Sequence, residues 1–445
     1  MEGALNRRIV ITGLGALTPA GVGVEALAHA IRDGRSAVRT PDHFDPSGYP
    51  SRVAGVVPEF DMADGVRKDQ KRYLRKNAKV MARDIQLAVA AANRALLDSG
   101  LPAGDEKAGQ PVLPTIDHTR IGMVFGTNFM PTEPDDLAGP VRAASGHGGF
   151  SLKTWGTYGI PQMFPLWLLK YLPNMHSCHT GVLWDAQGPS NSLTTSDAGG
   201  LLALDEAVRI IRRGAADWML AGGAESRINP LMLIRYSLLG RLATANDTPA
   251  SASRPFDTAR TGQVAAEGAV VFMLEPLDVA RSRGARVYGE VLGTGGSTTT
   301  AGINACDPDG RATASAVRAA LADAGLKPAD LGAVLAHGAA YEPQDRSEAA
   351  GLAAALNDAA ATVPVTATKG VTGNMGAASG LADLAALMFL KAAHVPPILN
   401  CDRPDPAVKL NLVRGSPQPL AKDVVLATTL AIGGQAAAAV IRINR

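Results

Sequence analysis

Gly188-Pro-Ser-Asn-Ser-Leu-Thr-Thr-Ser-Asp-Ala-Gly-Gly200 runs without a break into Leu201-Leu-Ala-Leu-Asp-Glu-Ala-Val-Arg-Ile-Ile211. The first part is β-rich and ends in small residues. The second places Leu201, Leu204, Ala207, Val208 and Ile211 at helical spacing, which predicts a sharp strand-to-helix turn near Ser196-Asp197. A side chain on such a turn is presented at a helix N-terminus, where backbone N–H groups and the helix dipole favour negative charge. That is a place to build a nucleophile and an oxyanion site. Here the turn carries a carboxylate, Asp197.

Outward from this turn the same theme recurs. Arg8-Ile-Val-Ile-Thr-Gly-Leu-Gly15 is a β-branched run stopped by glycine, and Thr18 denies it a dinucleotide-binding GxGxxG pattern. Ile121–Thr127, Trp218–Glu225, Gly268–Glu275, Val287–Gly293 and Leu331–His337 read as further strands. Ala314–Ala324 is an amphipathic helix closed by Gly325, and Met375–Lys391 is a small-residue helix after Val365–Asn374. Val424–Ile432 and Ala436–Ile443 close the chain as a pair around Gly433-Gly434. Residues 128–134 read as a loop, and residues 140–165, with little periodicity, as an excursion over the surface or an interface. Strands alternating with helices predict an α/β fold with buried sheets, in two similar halves spanning residues 1–262 and 263–445.

Composition narrows the function. The chain has 445 residues, 46% hydrophobic and 19% charged, with a net charge of +2, which gives no argument for nucleic acid. Cys178, Cys306 and Cys401 are widely separated, so neither a disulfide framework nor a zinc site is expected. His176 and His179 flank Cys178, but no nearby carboxylate completes a ligand set, and no metal or cofactor is expected. No apolar run reaches the roughly 20 residues of a membrane span, and the N-terminus shows no signal region, so a cytoplasmic setting is expected. Arg67–Lys79 concentrates positive charge. It is read either as a solvated helix face or as a docking patch for an acidic partner.

Over its whole length the chain resembles the elongating β-ketoacyl-acyl carrier protein synthases. The resemblance rests on segments in family order: Arg8–Gly15, Gly188-Pro-Ser190, Ala221-Gly-Gly-Ala-Glu225, Arg254-Pro-Phe-Asp257, Glu267-Gly268, His337-Gly338 with Asp345 and Glu348, Thr368-Lys369, Gly373 and Gly433-Gly434. It implies a thiolase-like five-layered α/β/α/β/α subunit, normally dimeric. It also implies a catalytic cysteine on the strand-to-helix turn and two histidines from the second half. Aligned on these landmarks, Asp197 stands at the cysteine. His337 and Lys369 are kept, Asn374 replaces the second histidine, and Ile432 replaces the gating phenylalanine beside Gly433 on the oxyanion side.

Asp197 is a poor substitute. As a nucleophile toward a thioester it would give a hydrolysable anhydride. As a decarboxylation catalyst it would set like charges about 4 Å apart, at about 4 kcal/mol for an effective dielectric near 20. Ser196 could act only with His337 as base, and a helix-capping carboxylate is the simpler role for Asp197. The resemblance therefore points to a chain-length factor, the ketosynthase-like partner of type II polyketide synthases. Such a subunit pairs with an active ketosynthase and shapes the tunnel for the acyl or polyketide chain, although those factors usually carry glutamine at this position. The resemblance places the tunnel end at Phe129, Met130, Thr132 and Pro134, and contact with acyl carrier protein at Arg67, Lys68, Lys71 and Arg72. The alternative is a stand-alone homodimeric acyl-processing enzyme acting through Asp197, His337 and Asn374 in acyl transfer, hydrolysis or decarboxylation.

Overall fold

Val270, Phe272 and Leu274 face one side of a strand, Ala269, Val271 and Met273 the other, and all six are buried. A strand covered on both faces needs a layer on each. The computed structural model describes residues 7–445 and supplies those layers. In the first half the strands are β1 (Ile9–Thr18), β2 (Ile121–Thr127), β3 (Ser190–Thr194), β4 (Trp218–Ser226) and β5 (Ala265–Pro276), in the order β3-β2-β4-β5-β1. In the second half they are β6 (Gly289–Thr298), β7 (Ala333–Leu335), β8 (Val365–Thr366), β9 (Val424–Leu430) and β10 (Gln435–Ile443), in the order β8-β7-β9-β10-β6.

The two orders are the same permutation, and the parallel and antiparallel pairings match strand for strand. The halves join through β1 and β6, antiparallel, with Val10 opposite Glu290. Strand β5, which falls beyond the division expected at 262/263, lies between β4 and β1, so the first half runs on through Pro276.

The longer helices include α1 (Lys68–Asn77), α2 (Arg83–Asp98), α3 (Pro134–Ser145), α4 (Met175–Trp184), α5 (Gly199–Arg212), α6 (Pro230–Leu238), α7 (Arg311–Ala324), α8 (Glu342–Leu356) and α9 (Ser379–Phe389). The expected loop at 128–134 ends one residue early, because Pro134 opens α3 with a preset φ and Asp135 and Asp136 follow in its first turn. Helices α5 and α9 fill the space between the two halves of the sheet and share one apolar cluster with β1, β4, β5, β9 and β10. Leu201, Leu204, Val208 and Ile211 of α5 are buried there, each side chain worth about 1.5–3 kcal/mol. Helices α2 and α7 cover the outer faces. This is a thiolase-like fold, and its two central helices bring their N-termini together. A Cβ on either Gly200 or Gly223 would lie 2.1 Å from the carbonyl oxygen of Ala377, so both positions need glycine.

Candidate active site

Asp197 sits where the turn from β3 meets α5, and it is 3% exposed. It does not cap the helix; neither that turn nor α5 has a side-chain cap. Instead its Oδ2 accepts from Nη2 of Arg227 at 2.8 Å and from the Ser196 hydroxyl at 3.1 Å. Arg227, 1% exposed, also donates from Nε to Glu225 Oε1 at 2.6 Å and from Nη2 to Ser196 Oγ at 2.9 Å. Burial alone would push the Asp197 carboxyl up. The Arg227 guanidinium outweighs it and holds the carboxyl well below the usual carboxylate range. The expected capping role is thus replaced by a buried ion pair, because a desolvated carboxylate gains more from a guanidinium than from backbone N–H groups.

The pair explains the local backbone. Ser196 has φ of +53°, and Gly376, at φ +58°, lies so close that a Cβ there would sit 1.9 Å from Glu225 Oε2. Glu225 Oε2 accepts the Ala377 N–H at 3.1 Å, tying the first half's strand end to the second half's helix turn. Ser196 spends its hydroxyl in this network, with Asn128 Nδ2 as a further donor at 3.3 Å, and makes no bond to His337. The expected serine–histidine arrangement is not assembled.

His337 is fully buried at the end of the β7 strand. Glu348 clamps its turn by accepting the N–H groups of His337 and Gly338 at 2.7 and 2.9 Å. Lys369 donates to the His337 carbonyl. Burial and the Lys369 charge hold the His337 imidazole well below its ordinary pKa, so it is neutral. Gln344 takes Arg241 Nη1 on its Oε1 at 3.0 Å and points its amide N–H groups at the Leu430 carbonyl and at His337 Nε2, the latter at 3.1 Å. The Nε2 lone pair is therefore occupied and the proton sits on Nδ1, which has no partner among the described residues. Nε2 is the atom facing Asp197, 3.8 Å from Oδ1. Gln344 thus takes up the ring nitrogen that faces Asp197.

Asn374 completes the centre without offering a histidine's chemistry. Its Nδ2 donates to Gln263 at 2.7 Å, and its Oδ1 accepts from the Gly376 N–H at 3.1 Å and the Ser379 hydroxyl at 3.3 Å. Ile432 packs against Met232, Leu233 and Tyr236 at the edge of an apolar groove of about 360 Å³ lined by Leu231, Ile234, Leu238 and Ile303. Gly433, beside it, takes φ of +90°, a conformation open to glycine. Tyr236 is buried, with the Arg227 guanidinium 5.3 Å from its ring centroid.

The other expected positions lie apart from this centre. Met130 is buried in the outer core, Phe129 is 58% exposed beneath Arg235, Thr132 is half-buried and Pro134 is exposed. On α1, Lys68 and Arg72 are exposed and Lys71 is half-buried. Arg67 is bonded to Asp69 and to the carbonyls of Gly104, Gln110 and Pro111, so its guanidinium is committed to that loop. His176 and His179 bond separately to the Pro173 carbonyl and the Tyr73 hydroxyl. Cys178 is exposed on α4. Arg227 and Gln344 were not singled out from the sequence. Arg227 could have been, since a carboxylate at a buried turn requires a counter-charge and an arginine follows Glu225 by two residues.

Against known proteins, the family described as beta-ketoacyl synthase matches over its N-terminal domain at residues 6–280 and its C-terminal domain at 288–402. The chain belongs to the β-ketoacyl synthase family. It is 32% identical over 430 residues, 96% of each chain, to a 3-oxoacyl-[acyl-carrier-protein] synthase 2 of Synechocystis. It is 34% identical over 439 residues to the ketoacyl synthase alpha subunit of the tetracenomycin polyketide synthase of Streptomyces glaucescens, covering 98% of this chain and 97% of that one. Among solved structures it is similar to the ishigamide ketosynthase/chain length factor, with a TM-score of 0.80 and 26% identity, over 99% of this chain and 100% of that one.

Proposed function

We propose that this protein is a catalytically silent ketosynthase-like subunit, a chain-length factor that pairs with an active ketosynthase in type II polyketide or related acyl-chain biosynthesis. The observation that carries this reading is the Arg227–Asp197 pair at the nucleophile's position. A residue there must be free to be acylated, whereas Asp197 is bonded on one oxygen and shielded by Ser196, and the facing histidine has its lone pair occupied. A subunit without its own chemistry needs a partner, and the surface supports one. Residues 150–169 expose Phe150, Leu152, Tyr158, Ile160, Phe164, Leu166, Leu168 and Leu169, an apolar stretch of the kind that marks an interface. Strand β3, exposed along much of its length, ends the sheet with a free edge nearby in sequence. Phe129 and its neighbours would close a tunnel only against a second chain, and Lys68, Lys71 and Arg72 would meet an acidic carrier protein.

Intact-mass spectrometry after incubation with acyl- and malonyl-carrier protein, beside native mass of mixtures with a ketosynthase, tests this. The expected result is no adduct and a one-to-one heterodimer. A stable adduct at Asp197 or Ser196, or malonyl loss with the lone protein, would establish a stand-alone enzyme instead.

A further inference from the structure

The Asp197–Arg227 pair does more than fill a vacated nucleophile position, because two routes lead from it to Phe129. On the first, Arg227 Nε and Asn128 Nδ2 donate to the same oxygen of Glu225, at 2.6 and 3.0 Å, and Asn128 is the peptide neighbour of Phe129. Asn128 also reaches Ser196 Oγ at 3.3 Å, an atom that Arg227 holds as well. On the second, the Arg227 guanidinium lies over the ring of Tyr236 in α6 at 5.3 Å. The preceding residue, Arg235, lies 5.9 Å from the centroid of Phe129.

Phe129 has little packing of its own to fix it, being more than half exposed at the end of β2. Its backbone is set by Asn128 and its ring is faced by Arg235. We infer that Asp197 and Arg227 are positioning residues for Phe129, so that the former catalytic position fixes the side chain that would limit chain length. This inference rests on the tunnel role proposed for Phe129. The physical basis is the geometry of the guanidinium, whose planar fork serves Glu225 on one side and Asp197 with Ser196 on the other. Removing the Asp197 charge leaves Arg227 with one anionic partner and freedom to turn about Glu225. The common oxygen that orients Asn128 is then held less rigidly, by a guanidinium free to turn and by the Ala377 N–H on the carboxylate's other oxygen.

The test uses the full chain and two variants. Asp197→Asn removes the charge at nearly constant volume. Asn128→Ala breaks the first route while leaving the ion pair in place, and it keeps the test open should Asp197→Asn fold poorly. Hydrogen exchange over 128–133 is expected to quicken by about 10-fold in both, with β5 unaffected. Co-expressed with the ketosynthase, both are expected to shift product length in the direction of Phe129→Ala, at unchanged heterodimer yield. Unchanged exchange over 128–133 in a folded Asp197→Asn variant overturns the inference, and so does unchanged exchange in Asn128→Ala. So does faster exchange with unaltered products when Phe129→Ala itself changes them. If Phe129→Ala leaves products unchanged, the tunnel role falls, and the exchange measurement still decides whether the ion pair holds the segment.

Discussion

Arg227 donates to Asp197 at 2.8 Å inside the protein, at the turn where the family's chemistry would begin, and both side chains are almost completely removed from water. Asp197 is not tolerable there alone, because without Arg227 it would sit as an unpaired aspartate beside Glu225, whereas Arg227 keeps Glu225 as a counter-charge. The substitution at 197 therefore makes sense as half of a pair. At this strand-to-helix turn Asp197, Ser196, Arg227 and Glu225 are joined in one buried network.

The two partners are not equivalent, and this gives an ordering. Arg227→Met leaves two buried carboxylates facing one another, and breaking a buried pair in this way costs about 3–5 kcal/mol. Asp197→Asn leaves Arg227 neutralised by Glu225 and loses only a charge-assisted bond, about 1.5–3 kcal/mol. Denaturant or thermal unfolding is expected to rank Arg227→Met as clearly the less stable. The reverse order would mean that Arg227 is not the counter-charge for both acids.

Much of this architecture was legible in the sequence because the turn-and-helix pattern is local. Gly188–Ile211 announces its strand, turn and buried helix by spacing alone, and the same pattern recurs before Met375. The ordered glycines and the His337 and Lys369 landmarks placed the centre. The role of Asp197 was not legible. Its partner lies 30 residues downstream on another strand's end, and only the strand order brings the two together. The Gln344 contact that occupies His337 was hidden for the same reason, being set by how α8 packs under β9 rather than by any local pattern. The division between halves was misplaced because the connection at 249–260 looks like a linker in sequence, yet β5 returns beyond it to the first sheet.

Phe129 is exposed in the single chain, so its effect should appear only in the complex. Phe129→Ala removes a ring where bulk would limit the chain, and it leaves the core around Met130 untouched. The expected outcome is a shift to longer products when the variant is co-expressed with the proposed partner ketosynthase, with little change in thermal stability of the isolated chain. Mass spectrometry of the product mixture reads the shift. An unchanged distribution removes Phe129 from the tunnel.

Leu168 tests the proposed interface. It is 55% exposed in a stretch where Phe164 and Leu166 are exposed too, and Lys79 lies 5.9 Å from the Phe164 ring centroid. Leu168→Asp places a charge in the middle of this apolar surface at no cost to the folded single chain. In a complex that buries the patch, an unpaired carboxylate would be strongly unfavourable. Heterodimer yield in native mass spectra is expected to fall by at least about 10-fold, while the melting temperature of the lone subunit stays the same. An intact heterodimer would move the interface elsewhere.

Stability should also vary with pH through Asp84, a buried residue of α2 outside the Asp197 network. Its Oδ1 accepts the Ser226 N–H at 2.7 Å. Burial pushes its carboxyl up to about 7, and the charges of Glu225 and Glu267 act in the same direction. Arg83 lies against Glu267 at 2.7 Å and offsets part of that charge. The unfolded chain titrates near about 3.9. Because the folded value is the higher one, the fold favours the protonated acid. Its contribution is fully present below about 4 and is lost as pH rises through about 7. Asp345, also raised to about 7 by burial against the opposing pull of Arg260, adds a loss of the same sign. Asp84→Asn keeps an acceptor for Ser226 and has no proton to lose. Relative to the parent, the variant should gain stability between pH 5 and pH 8, by at least about 2 °C in melting temperature. A variant whose melting curve tracks the parent across that interval would show that Asp84 carries its charge in the folded protein at every pH tested.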